Sequence, residues 1–130
     1  MLAILNIFFF VFHTVLIVFN VFGWAHPKTR KWNLATLLLT LASWVGMGMF
    51  YGMGYCICTD WHWQVREAMG IKETATSYIV LLVRNVSGWE PPVALANEVA
   101  KWVFLSALAM SVGLNLWDWK KRAVCHGQAR

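Results

Sequence analysis

Two long uncharged runs constrain this chain more than any other feature. Leu2–Trp24 and Leu34–Ile57 contain no charged residue, and roughly 20 apolar residues are enough for a helix to cross a hydrocarbon core of about 30 Å. A third run, 93–119, is interrupted by Glu98 and Lys101. With 59% apolar and 13% charged residues, the chain has too little polar surface for a water-soluble globule of this size. We predict a single all-α integral membrane domain over 1–130, with spans at about 2–24, 34–57 and 99–119.

The basic residues predict how these spans thread the bilayer. Seven of them flank the ends of the spans on one side: Lys28, Arg30, Lys31, Lys120, Lys121, Arg122 and Arg130. Because cytoplasmic flanks are enriched in Lys and Arg, we expect the first connector and the C-terminal tail in the cytoplasm, and the N-terminus and the 58–98 connector outside. The first run lacks a basic start and is longer than the ~7–15 apolar residues of a signal peptide, so we expect it to be retained.

The long connector contains two segments that are too short to span. Trp61, Val65 and Met69 recur at helical spacing and predict an amphipathic helix over about 60–70 that lies in the outer interface. A second short helix is expected over about 75–86. Aromatic side chains and one histidine are predicted to anchor the chain at the two interfaces: Trp24, Trp61, His62, Trp63, Trp117 and Trp119.

Polar and small residues mark the faces that we expect to pack against protein. Asn6, His13 and Asn20 are spaced by seven residues, so they share one helix face, and polar groups in a bilayer need partners. Small residues four apart allow close approach of helices. They occur at Gly48 and Gly52, at Ala107 and Ser111, and at Ala109 and Gly113.

Two features suggest a cofactor. Met53, Cys56, Cys58 and His62 gather soft ligands that suit copper or zinc, although Cys-x-Cys departs from the usual zinc spacing of two to four intervening residues. His13 is a candidate haem ligand, but the predicted spans contain no second histidine to pair with it.

Three functions remain open. A small accessory or scaffold subunit, contacting lipid and either other membrane proteins or a second copy, is favoured by the small-residue faces and the lack of a catalytic constellation. A redox module would use His13 or the Met53, Cys56, Cys58 and His62 group. A lipid- or quinone-binding protein would use the groove between the outer amphipathic helix, at Trp61, and the second span. Bound lipid is expected in each case.

The net charge of +5 is explained by orientation signals rather than by nucleic acid, and no nucleotide-binding loop or serine nucleophile motif is present in the sequence.

Scattered residues resemble one family. They are His13, Gly23-Trp24, Cys56 with Thr59, the run Thr59-Asp-Trp-His-Trp-Gln-Val-Arg66, Ser77-Tyr78-Ile79 and Leu114-Asn-Leu-Trp-Asp-Trp119. The chain resembles bacterial small membrane proteins grouped as domain of unknown function 2784. The resemblance covers nearly the whole chain. It implies a bacterial cytoplasmic membrane location and a multi-helix architecture, and it implies no activity.

Overall fold

The computed structural model describes residues 1–51, 56–72 and 77–127, with side chains up to Val124. Five helices lie in these ranges: α1 (Leu2–Phe22), α2 (Arg30–Tyr51), α3 (Ile57–Ala68), α4 (Tyr78–Ser87) and α5 (Val93–Gly127). Of these, α1, α2 and α5 are long and apolar enough to cross a membrane. The 12 residues of α3 and the 10 residues of α4 reach only about 18 and 15 Å. The predicted all-α architecture with three membrane-spanning helices is confirmed.

The two connector helices have different bounds from those expected. α3 begins at Ile57, three residues before the predicted start, because Cys56 has an extended backbone and its carbonyl accepts bonds from the N–H groups of Thr59 and Asp60. α4 begins at Tyr78 and ends at Ser87, and the capping residue Gly88 has a φ of 74° and donates to the Arg84 carbonyl. Glycine tolerates this left-handed conformation without strain.

The largest apolar core lies between α2 and α5. Leu37 on α2 is completely buried and packs with Phe104 and Ala107 on α5. The Trp44 and Phe104 rings approach to 4.6 Å between centroids. A smaller cluster joins α4 to the start of α5 through Val80 and Ala96. Both connector helices are therefore anchored on the long helices, α4 on α5 and α3 mainly on α1.

A tight turn connects α1 to α2. The Asn33 amide donates to the Phe19 carbonyl at 2.7 Å and to the Asn20 carbonyl at 3.3 Å. The Thr29 hydroxyl donates to the Gly23 carbonyl at 2.7 Å. These bonds satisfy carbonyl groups at the end of α1, which otherwise lack partners at a helix terminus.

An ion pair joins this turn to the far part of α5. Arg30 Nη1 donates to both carboxylate oxygens of Asp118, at 3.0 and 2.9 Å, and Asn115 donates to the Arg30 carbonyl at 3.1 Å. The Arg30 and Asp118 side chains are only 16% and 28% exposed. The start of α2 and the last third of α5 therefore lie at the same end of the bundle. We refer to this contact as the Arg30–Asp118 joint.

Replacing Gly23 with alanine is expected to destabilise the turn. A Cβ atom there would lie 2.5 Å from the Phe19 carbonyl oxygen and 2.9 Å from the Asn33 amide nitrogen. Such overpacking typically costs about 1–3 kcal/mol. Thermal unfolding in detergent would measure the change. Gly46→Ala is the matched control, because nothing lies within 4 Å of a Cβ at Gly46; an equal loss in both variants would contradict the steric explanation.

Asp118→Asn is expected to lower the unfolding free energy by about 1 kcal/mol, because it removes the charge that faces Arg30. Glu90→Gln serves as the control, since Glu90 lies 3.8 Å from Arg84 and its side chain is 51% exposed. We expect the control to change stability by less than about 0.5 kcal/mol. Denaturant titration of both variants would show the difference, and equal stability of Asp118→Asn and wild type would refute the role of the joint.

Candidate functional site

The polar face of α1 contacts three other helices. Near its end, Asn20 donates to the Thr40 hydroxyl at 3.0 Å and accepts from the Thr36 hydroxyl at 2.8 Å, both on α2. His13, one heptad earlier, contacts Cys56 and Tyr78, and Asn6, two heptads earlier, faces α3. All three side chains therefore point at protein, and each makes at least one polar contact away from lipid.

Asn6 is bound by two side chains of α3. The Asn6 amide oxygen lies 2.9 Å from His62 Nε2 and accepts from Arg66 Nη1 at 3.4 Å. Because an amide oxygen can only accept, His62 donates through Nε2. His62 is completely buried, which corrects its expected place among the interfacial anchors: α3 packs the side that carries Thr59 and His62 against α1 and leaves Trp61 half exposed.

His13 meets Cys56, which lies 43 residues further along the chain. The His13 Nε2 and Cys56 Sγ atoms are 3.7 Å apart, and the Thr59 hydroxyl lies 3.0 Å from the same sulfur. His13 is 6% exposed and Cys56 is 9% exposed. The structure thus joins two candidate sites that the sequence presented separately, the histidine of the first span and the cysteine before α3.

Tyr78, the first residue of α4, packs on the other side of His13. Its ring stacks on the His13 ring with centroids 3.9 Å apart. Its hydroxyl donates to the Phe10 carbonyl at 2.8 Å and lies 3.0 Å from the Thr14 hydroxyl. Burial raises the pKa of Tyr78, while the hydrogen bond with Thr14 acts in the opposite direction, so the phenol is a neutral donor at neutral pH.

We call the group formed by α1, α3 and α4 the polar cluster. Its members are Asn6, His13, Cys56, Thr59, His62 and Tyr78. Sequence reasoning missed Tyr78 and Thr14 as site residues, although Tyr78 stands in the Ser77-Tyr78-Ile79 run that contributes to the family resemblance. The cluster brings together thiol, imidazole and phenol groups that can exchange protons, and its sulfur and nitrogen atoms can bind a soft metal ion.

Of the predicted soft-metal ligands Met53, Cys56, Cys58 and His62, only the last three lie within the described residues. Cys58 is half-buried, and its pKa is raised by burial and by the neighbouring Cys56. Met53 lies outside the described residues. Over residues 1–51, 56–72 and 77–127, no three His, Cys, Asp or Glu side chains are grouped to hold a metal ion. The full set of four ligands, and haem binding by His13, stay predictions.

The small-residue faces of α5 have different surroundings. Ala107 and Ser111 are buried against the rest of the bundle, whereas Ala109 and Gly113 are exposed. Nothing lies within 4 Å of a Cβ built at Gly113. Gly48 is half-buried, and Gly52 lies outside the described residues.

The predicted aromatic anchors also differ in exposure. Trp61, Trp117 and Trp119 are at least half exposed, while Trp24 and Trp63 are half-buried. The Trp24 indole donates to the Val21 carbonyl at 2.6 Å, and its ring packs against the core between α2 and α5. Trp24 therefore packs against the core of the protein as well as lying at the end of the bundle.

Tyr78→Phe and Tyr78→Leu separate the two contributions of this side chain. The phenylalanine keeps the ring on His13 and loses one buried hydrogen bond, so we expect a loss of about 1 kcal/mol. The leucine also loses the ring contact, and we expect a further loss of about 0.5–1.5 kcal/mol. Unfolding in detergent would test this order. If Tyr78→Leu were as stable as wild type, α4 would not be held by the polar cluster.

Comparison with known proteins identifies a family. The family model described as Protein of Unknown function (DUF2784) matches residues 3–116, a range that contains the whole polar cluster and the exposed face of α5 up to Leu116. No curated protein and no solved structure matches the chain. Because the match extends over most of the 130 residues, this chain belongs to the DUF2784 family.

Proposed function

We propose that this chain is a small accessory or scaffold subunit of a larger membrane assembly, which docks a partner helix on the exposed face of α5. The observation that carries the proposal is the open surface around Ala109 and Gly113, where nothing lies within 4 Å of a Cβ built at Gly113. Small residues four apart let another helix approach closely, which favours association in lipid by packing rather than by the hydrophobic effect.

The surroundings of this face favour a helix as its occupant. Ala109 and Gly113 line an open groove together with Pro27, Met110 and Trp117. Its charged lining residues are Arg30, Asp118 and Lys121. Apolar and charged lining together suit a membrane helix that reaches the interface beside the charged residues.

The rest of the molecule supports a scaffold rather than a mobile carrier. Asn6, Asn20 and Asn33 each bond to another part of the chain through their side chains. Such interhelical bonds contribute about 0.6 kcal/mol each on average in membrane proteins. Together with the Arg30–Asp118 joint they hold the long helices in one arrangement and leave the α5 groove as a preformed surface.

We further propose that the assembly lies in the bacterial cytoplasmic membrane, with the N-terminus outside and the C-terminus in the cytoplasm. This orientation is supported by the ion pair of Arg30 with Asp118, which connects the basic first connector to the part of α5 that precedes Lys120 and Lys121. Lys and Arg are enriched on the cytoplasmic side.

Gly113→Leu tests the docking proposal. The wild-type chain, extracted from native membranes in mild detergent, is expected to migrate on a native gel with a larger species, whose components mass spectrometry would identify. A leucine side chain fills the groove. Overpacking of about 1–3 kcal/mol would weaken association about 5- to 150-fold and release the chain as a smaller species.

Gly46→Leu is the matched control, because Gly46 is also exposed and helical with nothing within 4 Å of a Cβ. It is expected to leave the larger species intact. Migration of wild type as a lone monomer would overturn the proposal. So would equal behaviour of the two variants, or a groove occupied only by co-purified lipid.

A further inference from the structure

We propose that the partner docked in the α5 groove is a transmembrane helix of a different protein, and that this helix carries an acidic residue which pairs with Lys121. The inference rests on the proposed docking function and specifies its partner. Two observations carry it. The open surface follows α5 over the length of a membrane span, and its charged part holds a basic side chain that no acidic residue of this chain neutralises.

A second groove continues the first one along α5. It is lined by the end of α1 and by residues of α5 that include Trp102, Ser106 and Met110, and Met110 also lines the first groove. At 1.5 Å per residue, the two grooves together follow α5 from Trp102 to Lys121 for about 28 Å. A hydrocarbon core is about 30 Å thick. The surface therefore fits a helix that crosses the bilayer.

Basic side chains dominate the end of the bundle at the Arg30–Asp118 joint. Residues 27–31 and 117–122 contain six basic residues and one acidic residue, Asp118. Asp118 binds Arg30 through both carboxylate oxygens, so its charge is already paired. This end of the protein is left with an excess of positive charge.

Lys121 brings part of this charge to the groove. It lines the groove together with Gly113 and Trp117, and its Nζ atom lies 5.3 Å from the centre of the Trp117 ring. This cation–π contact holds the ammonium group beside the groove. Across residues 1–51, 56–72 and 77–124, Lys121 takes part in none of the ion pairs.

A second copy of this chain does not supply the missing negative charge. Copies with the same orientation bring the same end to the same side of the membrane, and residues 99–130 contain no acidic residue besides Asp118. Two positive ends repel each other. A carboxylate from another protein pairs with Lys121 instead, and helix packing that excludes water strengthens this attraction.

Carbodiimide cross-linking of the detergent-extracted complex tests the proposal, because this reagent joins an amine to a carboxylate that is in contact with it. We expect Lys121 to be linked to an Asp or Glu at the end of a transmembrane helix of a different protein, as identified by mass spectrometry of the linked peptides. A product that contains two copies of this chain and no other protein would overturn the proposal. An intact larger species in which Lys121 stays unlinked would do the same.

Lys121→Glu and Lys120→Glu change the net charge equally at neighbouring positions, but of the two only Lys121 lines the groove. Lys121→Glu places two negative charges in contact, and we expect it to weaken association by at least about tenfold when the complex is diluted. Lys120→Glu is expected to weaken association by less than about threefold. Equal losses in the two variants would show that total charge matters, and would refute a specific pair at Lys121.

Anionic lipid is the other source of negative charge at this end. The purified complex, transferred into nanodiscs of phosphatidylcholine alone, is expected to stay associated. Dissociation in these nanodiscs, reversed by added phosphatidylglycerol, would assign Lys121 to a lipid headgroup and contradict the acidic partner.

The docking function and the nature of the partner can fail separately. If Gly113→Leu dissociated the larger species and Lys121→Glu did not, docking on α5 would stand and the acidic residue of the partner would be wrong. A wild-type chain that migrates as a lone monomer would overturn both.

Discussion

Polar groups on a lipid-surrounded helix must find their partners inside the protein, and the rest of this structure depends on that constraint. α1 carries Asn6, His13 and Asn20 on one face, and a hydrocarbon environment offers these side chains nothing to bond with. Each is paired with a different part of the chain: Asn20 with α2, His13 with Cys56 and Tyr78, and Asn6 with α3. One helix face thereby determines where two connector helices and one long helix lie.

At the opposite end of the bundle, polar groups are also paired inside the protein, but by different residues. There the Asn33 amide satisfies carbonyl groups at the end of α1, and the paired charges of Arg30 and Asp118 join α2 to α5. Between the two ends, Leu37, Phe104 and Ala107 fill the space between helices. Polar contacts thus specify which helices meet, and apolar side chains fill the contact, as expected where lipid is as apolar as the core.

The sequence was sufficient for the membrane architecture and for the direction of the α1 face, because span length and seven-residue spacing are local properties of the chain. It was insufficient for the site, since the partners of His13 lie 43 or more residues away and no periodicity reports a contact between separate segments. His62 illustrates the limit. Its place between two tryptophans suggested the interface, but its contact with Asn6 on α1 buries it inside the protein.

The spacing of these partners along the chain has a consequence for biogenesis. Asn20 finds Thr36 and Thr40 within 20 residues, so α1 and α2 can pair as a hairpin soon after the second helix leaves the ribosome. The partners of Asn6 and His13 are synthesised later, at Cys56, His62 and Tyr78. Asn6 and His13 therefore lack these partners until the connector has been translated. We expect docking of α3 and α4 to follow the pairing of α1 with α2.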